Sequence, residues 1–420
     1  ASIAQLHSLQ QLGTFQPHVL GIVHRSRQFL DLALSAKRRF DTSKVTCNVT
    51  DLAFESVEGR YLLTGHADGA ISIYDTCASP GASGQPGQVP ATLHQPRAHE
   101  SGIVSACWYP VDTGAFFSAG LDRQVKVWDT NRTKVVDQVS FSQPVNHIHV
   151  SDCATVHNLV SVALSDCKVQ LIDLLIGSST HTLRGHLKSV TCVRWSNRFE
   201  NVLASGGLDG CILMWDIRNT KSYLAALDQY NGRAQEGAPT PLATGHSGPV
   251  SSLEFSPDGL HLLSVGADGR ARLWSTGRVD GSVRGGYRCL PANFGQFRNR
   301  AQRRLQTAIS SDTCPAFAFV PDDAAVAVAD LTSGDRLGSL VGHYNQVTAC
   351  AVNPWSQELY TIGLDRNLLL WQPASLMAAF DEAETAQRPD AGSTRQSFYS
   401  RTANDWDNWS EQSDSEGDGA

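Results

Sequence analysis

Residues 203–218 read LASGGLDGCILMWDIR, and this stretch decides the fold. Asp209 is followed six residues later by Trp215, which ends a short apolar segment. The same spacing recurs in three further strong copies, Asp122 with Trp128, Asp268 with Trp274 and Asp365 with Trp371, and in two weaker ones, Asp68 with Tyr74 and Asp166 with Ile172. One copy would mean little, but six copies at a fixed spacing indicate a repeated structural unit.

A histidine precedes each strong copy by 22 or 23 residues: His99, His186, His246 and His343. A histidine start and a tryptophan end within a period of ~40–45 residues are typical of one four-stranded propeller blade. The aspartates are 54, 44, 43, 59 and 97 residues apart, and the last gap has room for two blades. Within it, FAFVPDDAAVAVAD (317–330) reads strand, turn, strand. The sequence therefore predicts an all-β fold, a seven-bladed WD40 β-propeller.

Histidine, serine or threonine, aspartate and tryptophan recur together in four sets: His99, Ser118, Asp122, Trp128; His186, Ser205, Asp209, Trp215; His246, Ser264, Asp268, Trp274; and His343, Thr361, Asp365, Trp371. A Ser-His-Asp hydrolase would use the same residue types. Four copies around a ring cannot form one active site, however, and no nucleophile elbow is evident. We therefore predict four structural hydrogen-bond networks that satisfy buried polar groups, and no catalytic residue.

Other sequence features exclude further classes of protein. No run of ~18 apolar residues predicts a membrane span, and no Gly-rich phosphate loop is evident. The ten cysteines are scattered without a C-x-x-C pair, so we expect reduced thiols in an intracellular protein, without a disulfide or zinc framework. We expect no cofactor and no metal.

The net charge of −7 resides in the tail, since residues 381–420 hold ten acidic residues and three arginines. We therefore divide the chain into an N-terminal helical segment (1–28), the propeller (29–375) and a disordered acidic tail (376–420). Ser413 and Ser415 lie among acidic residues and are candidate phosphorylation sites. Gly/Ser/Pro-rich residues 77–96 are expected to be a flexible loop inserted in the propeller.

A second insertion, residues 278–304, carries seven arginines against Asp280. One interpretation is a solvated loop, and the other is a contact with nucleic acid or an acidic partner. Tyr287, Phe294 and Phe297 keep the second interpretation open, since aromatic rings can stack on bases. Because residues 1–380 have no net charge, we do not expect direct nucleic-acid binding by the propeller as a whole.

The Trp-Asp-x-Arg ending of the opening stretch resembles the box of propellers that dock on the damaged-DNA-binding protein 1 adaptor of cullin-4 ubiquitin ligases. More broadly, segments such as EGRYLLTGHADGAISIYD (58–75), WYPVDTGAFFSAGLDRQVKVWDTN (108–131) and DGLHLLSVGADGRARLW (258–274) resemble the Cockayne syndrome group A family. The resemblance covers most of residues 28–372, weak blades included.

The resemblance implies a nuclear substrate receptor in transcription-coupled nucleotide excision repair. Its partners would be the damaged-DNA-binding protein 1 adaptor, cullin-4 and the RING subunit, with the Cockayne syndrome group B ATPase and stalled RNA polymerase II as clients. Trp215, Asp216 and Arg218 match the family's docking box, and FLDLAL (29–34) matches a strand that closes the ring. Ile3, Leu6 and Leu9 share a helical face and would enter a groove of the adaptor.

A second hypothesis is a WD40 scaffold outside any ligase that binds histone or RNA, using the arginine-rich insertion. Arg218 and the N-terminal helix distinguish the two hypotheses, since only the ligase receptor needs them to bind the adaptor.

Overall fold

The computed structural model describes residues 17–35, 38–42, 47–78, 88–219, 221–232, 243–277, 286–311, 313–353 and 355–374. Within these ranges the chain forms a short helix, seven four-stranded antiparallel sheets and a two-stranded parallel ribbon. The innermost strand of each blade packs against that of the next, and the seventh packs against the first. The predicted seven-bladed β-propeller is therefore confirmed.

The helix α1 is Pro17–Leu30. The strands in chain order are β1 Leu32–Leu34, β2 Arg39–Phe40, β3 Val49–Phe54, β4 Tyr61–His66, β5 Ile71–Asp75, β6 Gln88–Val89, β7 Ala91–Gln95, β8 Ile103–Trp108, β9 Ala115–Gly120, β10 Gln124–Asp129, β11 Lys134–Ser140, β12 Val145–Val150, β13 Leu159–Leu164, β14 Lys168–Asp173, β15 Ser178–Arg184, β16 Val190–Trp195, β17 Val202–Gly207, β18 Ile212–Asp216, β19 Ala225–Ala226, β20 Val250–Phe255, β21 His261–Gly266, β22 Ala271–Ser275, β23 Arg288–Cys289, β24 Ala308–Ile309, β25 Phe317–Asp322, β26 Ala325–Asp330, β27 Arg336–Val341, β28 Val347–Val352, β29 Leu359–Gly363 and β30 Leu368–Pro373.

The seven blades follow this order along the chain. Blade 1 is β3, β4, β5 and β7, and blades 2 to 6 are β8–β11, β12–β15, β16–β19, β20–β23 and β24–β27. Blade 7 is β28–β30 with β1 as its outermost strand. The two remaining strands, β2 and β6, pair in parallel beside blade 1.

The ring closes between the two ends of the propeller, because β1 pairs antiparallel with β30, with Leu34 opposite Trp371. Closure in this way leaves no long unpaired edge on blade 7. The closing strand is shorter than the predicted 29–34, since Phe29 and Leu30 end the helix instead. Phe29 is buried and packs against Phe317 and Phe319 of blade 6, and this contact favours a helical end over a longer strand.

The prediction of a flexible loop at 77–96 is wrong in its second half, where residues 88–89 form β6 and residues 91–95 form β7. The strand β7 is the outer strand of blade 1, and its pairing with β5 supplies the order that its composition does not suggest. Similarly, the second insertion contains β23, the outer strand of blade 5. The predicted anchors Ile3, Leu6 and Leu9 and the tail from residue 376, with Ser413 and Ser415, lie outside the described residues.

Apolar side chains fill the spaces between neighbouring blades, which is where strand alternation places them. All ten cysteines are free thiols. Among the described residues, no helix has the length and apolar character needed to span a membrane.

Candidate docking site and the blade networks

The four predicted networks have the same geometry in blades 2, 4, 5 and 7. In blade 4, His186 lies in the segment entering the blade, Ser205 on the second strand, Asp209 in the following turn and Trp215 on the third strand. The distances from histidine Nδ1 to aspartate are 2.8 to 3.1 Å in the four blades, and those from histidine Nε2 to the hydroxyl are 2.7 to 2.9 Å. The tryptophan Nε1–H donates to the same hydroxyl at 2.8 to 2.9 Å.

The direction of proton donation follows from the aspartate. Burial acts to raise the pKa of Asp209, but donation by His186 and by the backbone N–H groups of Leu187 and Cys211 holds it below its usual range. An ionised aspartate only accepts, so histidine Nδ1 carries the proton and Nε2 accepts from the serine hydroxyl. The hydroxyl accepts in turn from the indole N–H, so every polar group in this series of hydrogen bonds has a partner. The arrangement stabilises a turn and exposes no nucleophile.

A glycine two residues before each of these aspartates completes the network, and sequence reasoning missed it. A Cβ added to Gly207 would lie 2.6 Å from Asp209 Oδ1 and 2.7 Å from His186 Nδ1, so a larger residue would separate the pair. The recurrence of glycine at this position in all four copies is the signal that could have found it: Gly120, Gly207, Gly266 and Gly363.

Blade 1 lacks the network of histidine, hydroxyl, aspartate and tryptophan and has a different one. His66 Nε2 lies 3.1 Å from Thr64 Oγ1 and 3.0 Å from Ser72 Oγ. Tyr74 occupies the tryptophan position, and its hydroxyl donates to the carbonyl of Asp41 at 3.1 Å. Ile172 and Ala329 occupy the same position in blades 3 and 6 and have no polar group to pair.

Arg218 lies just past the third strand of blade 4, at the end of the blade opposite the Asp209 turn. This placement follows from the bond that Ile217 N–H donates to the carbonyl of Asn201, in the loop between the first two strands. Arg218 Nε donates to Asp216 Oδ1 at 2.9 Å and Nη2 donates to Oδ2 at 2.6 Å. The Asp216 side chain is buried whereas that of Arg218 is 63% exposed. Asp216 therefore orients a guanidinium that faces solvent.

Of the three residues that match the docking box, only Arg218 has a large exposed surface. Trp215 is buried, and its indole N–H donates to Ser205. Its place in the docking box stays a prediction. Asp216 acts through Arg218, whose guanidinium it holds by two hydrogen bonds.

Exposed apolar side chains lie on the same face of the ring in the neighbouring blade. Val156 is in the loop between the first two strands of blade 3, and Leu175 and Ile176 are between its third and fourth strands. Thr155 N–H donates at 3.1 Å to Glu200, the residue before Asn201, and so connects the loops of blades 3 and 4. Arginine is enriched at protein interfaces, and the buried centre of an interface is more apolar than the rest of the surface.

The WD domain, G-beta repeat family matches residues 90–129, 177–216, 239–275 and 334–372. These ranges end in blades 2, 4, 5 and 7, which are the four blades with a complete network. The chain is thus a WD40 repeat protein with a propeller scaffold. WD repeat-containing protein ATCSA-1 of Arabidopsis thaliana is 31% identical, over 92% of this chain and 95% of its own length. The chain belongs to the family of that protein.

Two further relatives match smaller parts of the chain. Radiation-sensitive protein 28 of Saccharomyces cerevisiae is 27% identical over 42% of this chain and 38% of its own length. Histone acetyltransferase type B subunit 2 of Candida glabrata is 23% identical over 54% of this chain and 52% of its own length. Of these three relatives, ATCSA-1 matches the largest share both of this chain and of its own length.

Proposed function

We propose that the chain is the substrate-recognition subunit of a cullin-4 RING ubiquitin ligase and acts in the nucleus in transcription-coupled nucleotide excision repair. The observation that carries the proposal is the likeness to ATCSA-1 over nearly the whole chain. The name of the yeast relative, a radiation-sensitive protein, agrees with a role in the response to DNA damage. The fold alone would not support a function, because propellers serve many.

The proposed mechanism is bridging. Arg218 and the apolar loops of blade 3 dock on the damaged-DNA-binding protein 1 adaptor, and the segment containing Ile3, Leu6 and Leu9 enters the adaptor's groove. The adaptor connects the receptor to cullin-4 and the RING subunit. Clients, among them the Cockayne syndrome group B ATPase and stalled RNA polymerase II, are held near the charged ubiquitin-conjugating enzyme. The receptor contributes proximity and orientation and no bond chemistry of its own.

Arg218→Ala should weaken binding to the purified adaptor by about 2 kcal/mol or more, since it removes a charge-assisted contact at a desolvated interface. The matched control is Arg132→Ala. Arg132 follows the third strand of blade 2, lies 3.9 Å from Asp129, and is 82% exposed. Calorimetric titration of the adaptor into each variant measures the affinity, and the thermal midpoint of each variant reports its folding.

The outcomes test the docking role of Arg218 and the ligase proposal separately. Unchanged affinity for Arg218→Ala would refute the docking role of this residue. No binding of the adaptor by the folded wild-type chain would refute the ligase proposal and favour the scaffold that binds histone or RNA. That scaffold has the partial likeness to the histone acetyltransferase subunit in its favour. A scaffold that binds RNA has less support, because Phe294 and Phe297 of the arginine-rich insertion are buried and cannot stack on bases.

A further inference from the structure

The arginine-rich insertion ends in a strap, residues 296–304, whose backbone N–H groups donate hydrogen bonds that hold it across the His/Asp-turn face of the ring. Phe297 N–H donates to the carbonyl of Gly269 in blade 5 at 2.8 Å. Arg298 N–H donates to Asp322 of blade 6 at 2.9 Å, and Ala301 N–H donates to Gln346 of blade 7 at 3.0 Å. The strap therefore has a fixed position over three blades.

Arg304 anchors the inner end of the strap. Its guanidinium donates to Asp51 Oδ1 at 3.1 Å and to the carbonyl of Val104 at 3.0 Å. Asp51 and Val104 belong to the innermost strands of blades 1 and 2, so this side chain crosses the central channel. Arg304 is therefore committed to the fold and is not available to a ligand.

Three other arginines of the strap face solvent: Arg298, Arg300 and Arg303. Arg300 pairs with Asp323 at 2.6 Å while its side chain remains 71% exposed. For the guanidinium groups of Arg298 and Arg303, no acidic partner lies among the residues that the structure describes. These two cations are free on a rigid support.

A groove of about 700 Å³ lies beside the strap, between blades 5 and 6, with Arg298 and Arg336 in its lining. The aspartates in that lining already have partners, because Asp268 accepts from His246 and Arg272, Asp322 pairs with Arg336, and Asp323 pairs with Arg300. Val341 at the groove and Tyr344, two residues before Gln346, are both largely exposed. The surface thus combines unpaired positive charge with apolar contact area.

We propose that the strap and groove bind an acidic peptide segment of a partner protein. Carboxylates of the peptide would pair with Arg298 and Arg303, since the planar guanidinium matches a carboxylate in a bidentate pair. An apolar side chain of the peptide would pack against Val341 or Tyr344. The surface lies at the end of the blades opposite Arg218, so the proposal is independent of adaptor docking.

The buried state of the insertion's aromatic residues favours a peptide over nucleic acid. Phe294 is only 2% exposed and Phe297 only 5%, and both pack in the core between blades 5 and 6 with Leu305 and Ala329. Single-stranded nucleic acid is usually bound by exposed aromatic rings together with a groove of cations that follows the backbone. Here the exposed cations of the strap fall within six residues, which suits a few carboxylates.

The test uses the full chain and a short fluorescein-labelled peptide rich in Glu and Asp with one Leu, followed by fluorescence anisotropy. The same peptide with Gln and Asn in place of the acids, and a single-stranded DNA oligonucleotide, are the comparison ligands. Arg298→Glu with Arg303→Glu should weaken binding of the acidic peptide about tenfold or more and remove most of its salt dependence. The matched control is Arg184→Glu with Lys188→Glu, an equal change of charge at exposed positions near blades 3 and 4, with no change in affinity expected.

Three results would overturn the proposal: equal affinity of the strap variant and the wild type for the acidic peptide, tighter binding of the DNA than of the peptide, or no binding of the acidic peptide by the wild type. The variant with Arg298→Gln and Arg303→Gln provides the same comparison without charge reversal if the first variant fails to fold. Adaptor affinity of each variant should equal that of the wild type, because the strap and Arg218 lie on opposite faces.

Discussion

Blade 4 and blade 6 have the same four-strand order, yet different parts of the chain hold them together. Blade 4 contains its own support, since His186, Ser205, Asp209 and Trp215 lie within one repeat and Trp215 fills the space toward blade 3. Blade 6 has Ala329 at the tryptophan position and no histidine in its strands. A repeat can therefore lose its internal network and remain a blade if other segments supply the missing contacts.

Blade 6 takes those contacts from segments outside its four strands. Phe294 and Phe297 of the insertion fill the space beside Ala329 that a tryptophan occupies elsewhere. On the other side, Phe29 of α1 packs against Phe317 and Phe319, with ring centroids 6.3 and 5.6 Å apart. The space between neighbouring blades is filled with apolar side chains in both cases, although different segments of the chain provide them, because protein interiors are closely packed.

Deletion of residues 1–35 should produce the largest effect, because it removes both Phe29 and the closing strand β1. Loss of a buried phenylalanine alone costs about 3–5 kcal/mol, and loss of β1 also leaves β30 as an unpaired edge. Hydrogen exchange should rise more in residues 317–330 of blade 6 than in residues 202–216 of blade 4. A truncated chain that melts like the full chain would show that the ring does not depend on this closure.

The parts of the fold that could be predicted from sequence are those whose cause lies within one repeat. The Asp-to-Trp spacing predicts the blades, and the residues of the networks are all close in the chain. The strand and turn around Asp323 were also predictable, because alternation of apolar residues survives there without the network.

The remaining features depend on neighbours that the local sequence does not identify. The strand β7 forms in a Gly/Pro-rich stretch because β5 offers it an unpaired edge. Phe294 and Phe297 look like exposed residues of an arginine-rich loop until the space beside Ala329 is known. Likewise, Arg304 is one of seven arginines in the insertion by sequence, and only the ring brings it to Asp51. The orientation of Arg218 was predictable from strand direction, whereas the surface around it comes from blade 3.

We expect acidification to destabilise the blades that contain buried neutral histidines more than it destabilises blade 6, whose strands contain no histidine. Burial lowers the pKa of His66 to about 4. It is also the main cause of lowered pKa values at His99, His147, His149 and His246. An unfolded chain protonates histidine near pH 6.5. Below that pH the unfolded state therefore binds more protons than the folded state, and stability falls as the pH falls.

Two buried carboxyl groups act in the opposite direction: burial raises the pKa of Glu254 to about 7 and raises that of Asp152 above its usual range, so protonation of either favours the folded state. Five histidines outweigh these two groups, so we expect the free energy of unfolding to decrease by about 2 kcal/mol between pH 7 and pH 4. Urea denaturation across this range measures the change, and hydrogen exchange at pH 5 should show β4 opening before β26. Stability that is flat or rises on acidification would contradict the assignment of neutral buried histidines.

The sharpest comparison of the two blades changes one turn aspartate in each. Asp209→Ala leaves the N–H groups of His186, Leu187 and Cys211 without their acceptor, so the free energy of unfolding should fall by about 1–3 kcal/mol. Asp323→Asn changes the aspartate at the equivalent position of blade 6. Asn tolerates the positive φ of 55° at this position, and the lost ion pair with Arg300 is exposed to solvent, so the cost should be below about 1 kcal/mol. Urea midpoints measured for both variants at pH 7 give the two values under one condition. Equal losses would mean that the blade 4 network adds no more stability than a surface ion pair. They would contradict the inference that blade 4 is stabilised by its own network whereas blade 6 is stabilised by segments outside its strands.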